Sequence, residues 1–388
     1  MVDKIIKFCL LIFIFAMCSK KLEEPQVLEV INISNTPDRS EYPAIAADSR
    51  GYFYVVWEER APNGIMAVYM TQRPPAGNWT KPEPIIMPQT PMRQPDIAID
   101  KENTIHIVGQ YTIHQRAGEI FYTKKPLGGD WSEIETIGMF GRACQPKIAV
   151  DNDGNIHIAW MELVGYWPII YAKRSKDGSW TSPVEISQDW GGDNYTMDPK
   201  ITVDKFNCAH VIWTQSINYG SRFADALAYT TNAPDGGWSG PTVVCYDSLL
   251  EMGISPQIAV DDNQTVHVVW DMRKDIFYAF KPLNGRWNSP AIVCSTSTLS
   301  MWPYLAADKD GFLHLIWEEK ESDIYYVSKS KDSEWTDPKI YLVNTIGGFY
   351  GAKLALSRNS IGLIFNGYIL PATGDDNYEI FFGKIPKN

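Results

Sequence analysis

Three carboxylates, Glu58, Asp271 and Glu318, stand in segments where a pair of them could flank a glycosidic bond, one donating a proton while the other acts as nucleophile or base. Arg39, Arg93 and Arg142 occupy comparable segments, and their planar forks could hold an acidic sugar. Trp167, Trp190 and Trp302, with Tyr350 and Tyr195, add aromatic faces. A sugar ring has an apolar face and a rim of hydroxyls, so it suits aromatics set beside carboxylates and arginines. The same mixture suits a protein hot spot. Glu58 and Glu318 directly follow a tryptophan that recurs along the chain, so a solvated acidic rim is the competing reading. No residue is assigned a catalytic role.

Other reactive side chains fall away on inspection. Five of the six histidines, His106, His157, His210, His267 and His314, share one recurring position, so each belongs to a different unit and they cannot converge on a metal. A buried, hydrogen-bonded imidazole is expected at each, and a solvated loop place for His114. Cys144, Cys208, Cys245 and Cys294 have no zinc-site spacing, and unpaired, mostly buried thiols are expected. Neither metal nor cofactor is implied. The net charge of −11 argues against nucleic acid, whose phosphates need clustered Lys and Arg.

The elements that position these residues come from a repeat of about fifty residues, a length typical of propeller blades. The phrase Gln145-Pro146-Lys147-Ile148-Ala149-Val150-Asp151, a turn Asn152-Asp153-Gly154-Asn155, and Ile156-His157-Ile158-Ala159-Trp160 recurs along the chain. Its proline is Pro43, Pro95, Pro146, Pro199, Pro256 and Pro303; its closing tryptophan is Trp57, Trp160, Trp213, Trp270 and Trp317. A second phrase comes after it, an apolar strand ending in Tyr69, Tyr122, Tyr171, Tyr229, Tyr278 or Tyr326, then Trp79, Trp131, Trp180, Trp238, Trp287 or Trp335. Each copy reads as four short strands, A to D, with Asp and Gly shaping the A–B turn. No stretch has helical periodicity.

The fold class expected is therefore all-β, a seven-bladed β-propeller of four-stranded antiparallel blades over residues 22–388. Blades are expected to start near residues 39, 92, 143, 196, 253, 300 and 349. The seventh copy, through Ala352, Ser357 and Phe365, lacks its last strand, so the N-terminal strand over 22–33 is expected to complete it and close the ring. Residues 1–18 read as an export signal: Lys4 and Lys7 precede an apolar core, and Phe15-Ala16-Met17-Cys18 is similar to a bacterial lipobox, which implies acylation of Cys18. A bacterial membrane-anchored lipoprotein, at the cell surface or in the periplasm, is expected.

The hairpin Ser175-Lys176-Asp177-Gly178-Ser179-Trp180, with weaker versions at Ser330–Trp335 and Pro234–Trp238, resembles the Asp-box, or bacterial neuraminidase repeat, of sialidase-like propellers. The resemblance implies a shared fold and a structural role for these turns. The early arginine motif of sialidases is missing, its place reading Glu41-Tyr42-Pro43, so sialidase activity is not implied. The chain is also similar to seven-bladed bacterial lectins with Trp-rich repeats. In such propellers the B–C and D–A loops share one face, which carries Glu58, Arg93, Arg142, Trp167, Trp190, Asp271, Trp302, Glu318 and Tyr350 here. The expected function is binding of a carbohydrate or glycoconjugate on that face, with a surface-protein scaffold and a divergent glycoside hydrolase as alternatives.

Overall fold

The repeat phrases become antiparallel strand groups in the computed structural model, which describes residues 24–36, 38–114, 117–190, 195–219, 222–233, 236–247, 255–296, 298–319, 323–343, 346–369 and 378–387. Cys18, the signal segment and the turn residues Pro234 and Asp235 lie outside the described residues. Among the described residues every regular element is a strand.

Two short strands come first among the described residues, β1 (Gln26–Val27) and β2 (Val30–Asn32). The first full sheet has the order β3 (Glu41–Ala47), β4 (Phe53–Arg60), β5 (Met66–Arg73), β6 (Glu83–Pro84). The next two groups are β7 (Met92–Ile99), β8 (Ile105–His114), β9 (Ala117–Lys125), β10 (Glu135–Ile137), and β11 (Ala143–Val150), β12 (Ile156–Glu162), β13 (Ile169–Arg174), β14 (Val184–Glu185). These two join into one sheet through the single pair Ala143↔Gly118. Then come β15 (Thr196–Val203), β16 (Ala209–Tyr219), β17 (Arg222–Thr231), β18 (Thr242–Asp247), and β19 (Gln257–Val260), β20 (Val266–Met272), β21 (Asp275–Lys281), β22 (Ala291–Cys294). The last groups are β23 (Ser300–Ala307), β24 (Leu313–Glu319), β25 (Asp323–Lys329), β26 (Lys339–Leu342), and β27 (Ile346–Leu356), β28 (Ser360–Ile369), β29 (Glu379–Pro386).

The first strands of the groups meet in a closed cycle. β3 lies against β7, β7 against β11, β11 against β15, β15 against β19, β19 against β23, β23 against β27, and β27 against β3. That is a β-propeller arrangement. Aromatic side chains fill the spaces between sheets, where they bury the most area. Trp180 meets Tyr122 of the preceding group edge-on at 5.6 Å, and Trp238–Tyr171, Trp287–Tyr229 and Trp335–Tyr278 repeat the contact at 4.7, 5.1 and 5.3 Å. Trp79 against Phe382, at 4.9 Å, carries the same contact across the closure of the cycle.

The histidine column is part of this scaffold. Each Nδ1 lies 2.8 to 2.9 Å from the hydroxyl of Tyr122, Tyr171, Tyr229, Tyr278 or Tyr326. Each Nε2 lies 3.1 to 3.3 Å from Asp100, Asp151, Asp204, Asp261 or Asp308. The aspartate also accepts the turn's backbone N–H groups, as Asp151 does from Asp153 and Asn155 at 2.9 and 2.8 Å. Burial opposes the charge on Asp151, but the hydrogen bonds from His157 and Asn155 outweigh it and hold the carboxyl well below its ordinary range. Burial also lowers the pKa of His157, against the pull of Asp151, and so favours the neutral imidazole that joins strand to turn. Cys144, Cys208, Cys245 and Cys294 are buried thiols with no disulfide between them.

The N-terminal segment departs from the expected single strand over 22–33. Val30–Asn32 pairs antiparallel with β29 and supplies the outer strand of the last group. Gln26–Val27, however, pairs in parallel with β26 of the group before it. Between them Leu28 donates its backbone N–H to Leu342 at 2.9 Å and buries its side chain among Ile316, Tyr341, Val343 and Phe381. The segment is a strap over two edges rather than one strand because the open edge of β26 is also there to be paired, and capping both edges satisfies more backbone groups. A Cβ on Gly383 would stand 2.8 Å from the Leu28 side chain, so only glycine lets the strap lie this close.

Candidate functional site

The strands bounding the centre of the cycle share a distortion. Their registers shift between Glu41 and Ala44, Arg93 and Asp96, Cys144 and Lys147, Met197 and Lys200, and Met301 and Tyr304. The residue before the repeat proline takes a positive φ: Tyr42 at 52°, Gln94 at 48°, Gln145 at 53°, Asp198 at 54° and Trp302 at 50°. In the last group glycine, Gly351, takes the place at 73°. A non-glycine residue held there costs about 1–3 kcal/mol, so the surroundings must impose it. Such bulges re-aim side chains.

What imposes it is a set of side-chain acceptors reaching in from the neighbouring strands. Glu58 Oε2 accepts the Gln94 N–H at 2.9 Å, Asp271 Oδ2 accepts that of Trp302 at 3.0 Å, and Glu318 Oε1 accepts that of Ala352 at 2.7 Å. Gln94 Oε1 takes the Gln145 N–H at 3.1 Å, and Gln145 Oε1 takes that of Asp198 at 3.2 Å. The three carboxylates proposed from sequence as ligand groups therefore sit behind the backbone. Glu58 and Glu318 are wholly buried and Asp271 is nearly so. Burial pushes Glu58 up to about 7 against the pull of the Gln94 amide and Arg93. It pushes Asp271 to about 6 and Glu318 to about 8. A carboxyl two places after the strand tryptophan has a loop to hold: Glu59, Glu162 and Glu319 accept the indole N–H of Trp57, Trp160 and Trp317. They then bind Ser40, the Arg142 backbone and Ser300 of the D–A segments.

The bulges surround a cavity of about 500 Å³ at the centre of the cycle. Tyr42, Trp302 and Tyr350 line its mouth, with Tyr42 51% and Trp302 39% exposed. Trp302 meets Tyr350 at 6.5 Å, and Tyr350 meets Tyr378 at 5.5 Å. Tyr350 donates to Glu41 at 3.2 Å; Glu41 also pairs with Arg39 at 2.9 Å, and the Arg39 guanidinium lies 4.5 Å over Tyr378. Arg93 contacts Glu58 at 3.2 Å and remains partly exposed beside this rim. Deeper in the cavity are Asp96, Lys147, Lys200, Gln257, Tyr304 and Lys353, each one place after the repeat proline or, for Lys353, after Ala352 in its position.

The residues expected from sequence thus divide. Glu58, Arg93, Asp271, Trp302, Glu318 and Tyr350 gather at the channel mouth, with the carboxylates supporting it from behind. Trp167, Trp190 and Arg142 belong to a second place: Trp167 meets Tyr195 at 5.5 Å, Trp167 and Trp190 pack partly on the core beside Cys144 and Met161, and the exposed Arg142 donates its N–H to Glu162 at 3.1 Å. Sequence reasoning missed Tyr42, Tyr304 and the three channel lysines. Their signal was there to find, in Pro146-Lys147, Pro199-Lys200 and Ala352-Lys353, one repeat position holding a long cation three times.

The chain matches no described protein family and no curated protein. Solved structures do resemble it. An ulvan lyase of a polysaccharide lyase family, bound to -[GlcA(1-4)Rha3S]-, is 11% identical with a TM-score of 0.62, covering 93% of this chain and 98% of its own. The BP39L lectin from Burkholderia pseudomallei is 14% identical, TM-score 0.62, covering 90% and 100%. An α-L-arabinofuranosidase from Fusarium graminearum is 11% identical, TM-score 0.55, covering 92% and 97%. At such identities the likeness establishes the β-propeller fold.

Proposed function

We propose that this chain is a seven-bladed β-propeller that binds carbohydrate at the mouth of its central channel. The observation that carries the reading is the rim of Tyr42, Trp302 and Tyr350 around the central cavity, aromatic faces held by a rigid backbone where a saccharide could stack. The count of seven blades rests on the cycle β3, β7, β11, β15, β19, β23, β27, each first strand leading its own antiparallel group. That three propellers of similar shape carry the names of a lyase, a lectin and a glycosidase supports a saccharide as ligand. The Asp-box relationship is proposed at the level of turn structure: Asp177 accepts the Ser179 N–H at 3.0 Å, as a box that shapes a hairpin would.

Replacing Trp302 with Ala is expected to weaken saccharide binding by at least about tenfold, the loss of one stacking face at a small-ligand site. A glycan array followed by calorimetry on the chain from Ser19 checks this, with the exposed Lys309→Ala as control. Equal binding by wild type and Trp302→Ala would sink the reading. Turnover of an aryl glycoside by the wild type would instead make the protein a hydrolase. Pull-down of a surface protein with no saccharide bound would favour the scaffold.

Export and lipid anchoring through Cys18 are proposed from the lipobox-like segment. The strap beginning at Glu24 lies against the outer edges of the last two groups, so an anchor on Cys18 would leave the channel mouth clear. Palmitate labelling in a bacterial host is expected for the wild type and absent in Cys18→Ala; labelling that persists in the variant would remove the anchor from this account.

A further inference from the structure

The channel holds a charge imbalance that the fold does not resolve by itself. Lys147, Lys200 and Lys353 all stand just after a bulge and line the one cavity. Lys200 is paired with Asp198, and Lys147 donates to the Pro146 carbonyl at 3.1 Å. Asp96, the other channel carboxylate, is engaged by the Ile148 N–H at 3.0 Å. Among the described residues no acceptor lies within hydrogen-bond or ion-pair distance of the Lys353 ammonium, although its side chain is half-buried. Burial, and then repulsion from Lys147 and Lys200, pull Lys353 down to about 8 against the attraction of Asp96 and Asp198. Like charges are gathered in one enclosure only at a cost, and an oxyanion would offset it.

Building on the carbohydrate reading, we propose that the channel seats a carboxylate or sulfate group carried by the saccharide, with Lys353 as its principal partner and Lys147 beside it. Tyr304 and Gln257 line the same space and offer neutral hydrogen-bonding groups to the remaining oxygens. The aromatic mouth then holds the ring, and the lysines select an acidic sugar over its neutral counterpart.

Calorimetry on the chain from Ser19 with glucuronate, with methyl glucoside and with sodium sulfate separates the possibilities. Wild type is expected to prefer glucuronate over methyl glucoside by about tenfold, the scale of one charge-assisted hydrogen bond, and Lys353→Gln to bring the ratio near one. Lys147→Gln should reduce the preference less, and Trp302→Ala should weaken both sugars. An unchanged ratio in a folded Lys353→Gln overturns the proposal, as does a wild type with no preference. If neither sugar binds, the carbohydrate reading fails separately: sulfate binding that is lost in Lys353→Gln would still support the anion seat, and no sulfate binding would overturn it.

Discussion

A chain carrying Leu28→Asp and Ile33→Asp unfolds at a much lower temperature than the wild type and self-associates. Both side chains are buried, at 6% and 4% exposure, and they fix the strap at either end of β2. Truncating a buried Leu or Ile costs about 2–5 kcal/mol, and putting a carboxylate in its place adds desolvation. Two such changes approach the whole stability of an ordinary domain, about 5–15 kcal/mol. Releasing the strap also bares β29, whose run Ile380-Phe381-Phe382 would then present an unpaired apolar edge. Thermal unfolding monitored by circular dichroism, with light scattering for mass, checks both halves. A monomer with an unshifted transition would show that the ring holds without its strap.

The second large effect concerns pH. Glu318 is buried with Oε1 on the Ala352 amide and no partner for Oε2 among the described residues, and burial raises its pKa to about 8. A carboxyl raised this way keeps its proton in the folded protein at a pH where the unfolded chain has lost it. Its stabilising contribution is therefore full below the unfolded value of about 4.3 and drains away as pH rises through the folded value. Glu58 and Asp271, raised to about 7 and 6, act in the same direction over narrower windows. In Glu318→Gln the amide oxygen can still accept the Ala352 N–H, and no proton is left to lose. Between pH 5 and pH 9 the variant should gain on the wild type by a few kcal/mol at most, read from urea midpoints across that range. Parallel stability curves for the two proteins would refute the assignment.

The repeat made the scaffold readable because each of its conspicuous residues answers a local need. Asp151, His157 and Tyr171 form one hydrogen-bonded unit within a sheet, and the phrase recurs whenever that unit is built. Trp302 and Tyr350 could be singled out because they break the pattern. Which way a side chain faces was harder to read. Glu58 and Glu318 look like ligand groups in a loop, yet a bulge in the adjacent strand turns a backbone amide toward each of them. Conversely, Lys147 looks like an ordinary strand residue until the positive φ at Gln145 is known, since one extra residue in the strand turns Lys147 onto the channel side. The second pairing of the strap was invisible for a related reason. Two residues, Gln26 and Val27, are too few to show any pattern, and their partner is decided by which edge lies free nearby.

The strap also sets an order of events in time. The Ser34 hydroxyl accepts the N–H of Ile380, 346 residues away along the chain. The earlier strand groups close on neighbours a few tens of residues off, so each can collapse as soon as its own hairpins are complete, whereas loop closure for the last group spans nearly the full chain. Ring closure is thus the late step of folding, and β29 is left waiting for a partner made long before it. A refolding experiment that tracks Phe381 and Phe382 burial separately from that of Trp213 would see two phases, the slower belonging to the seam.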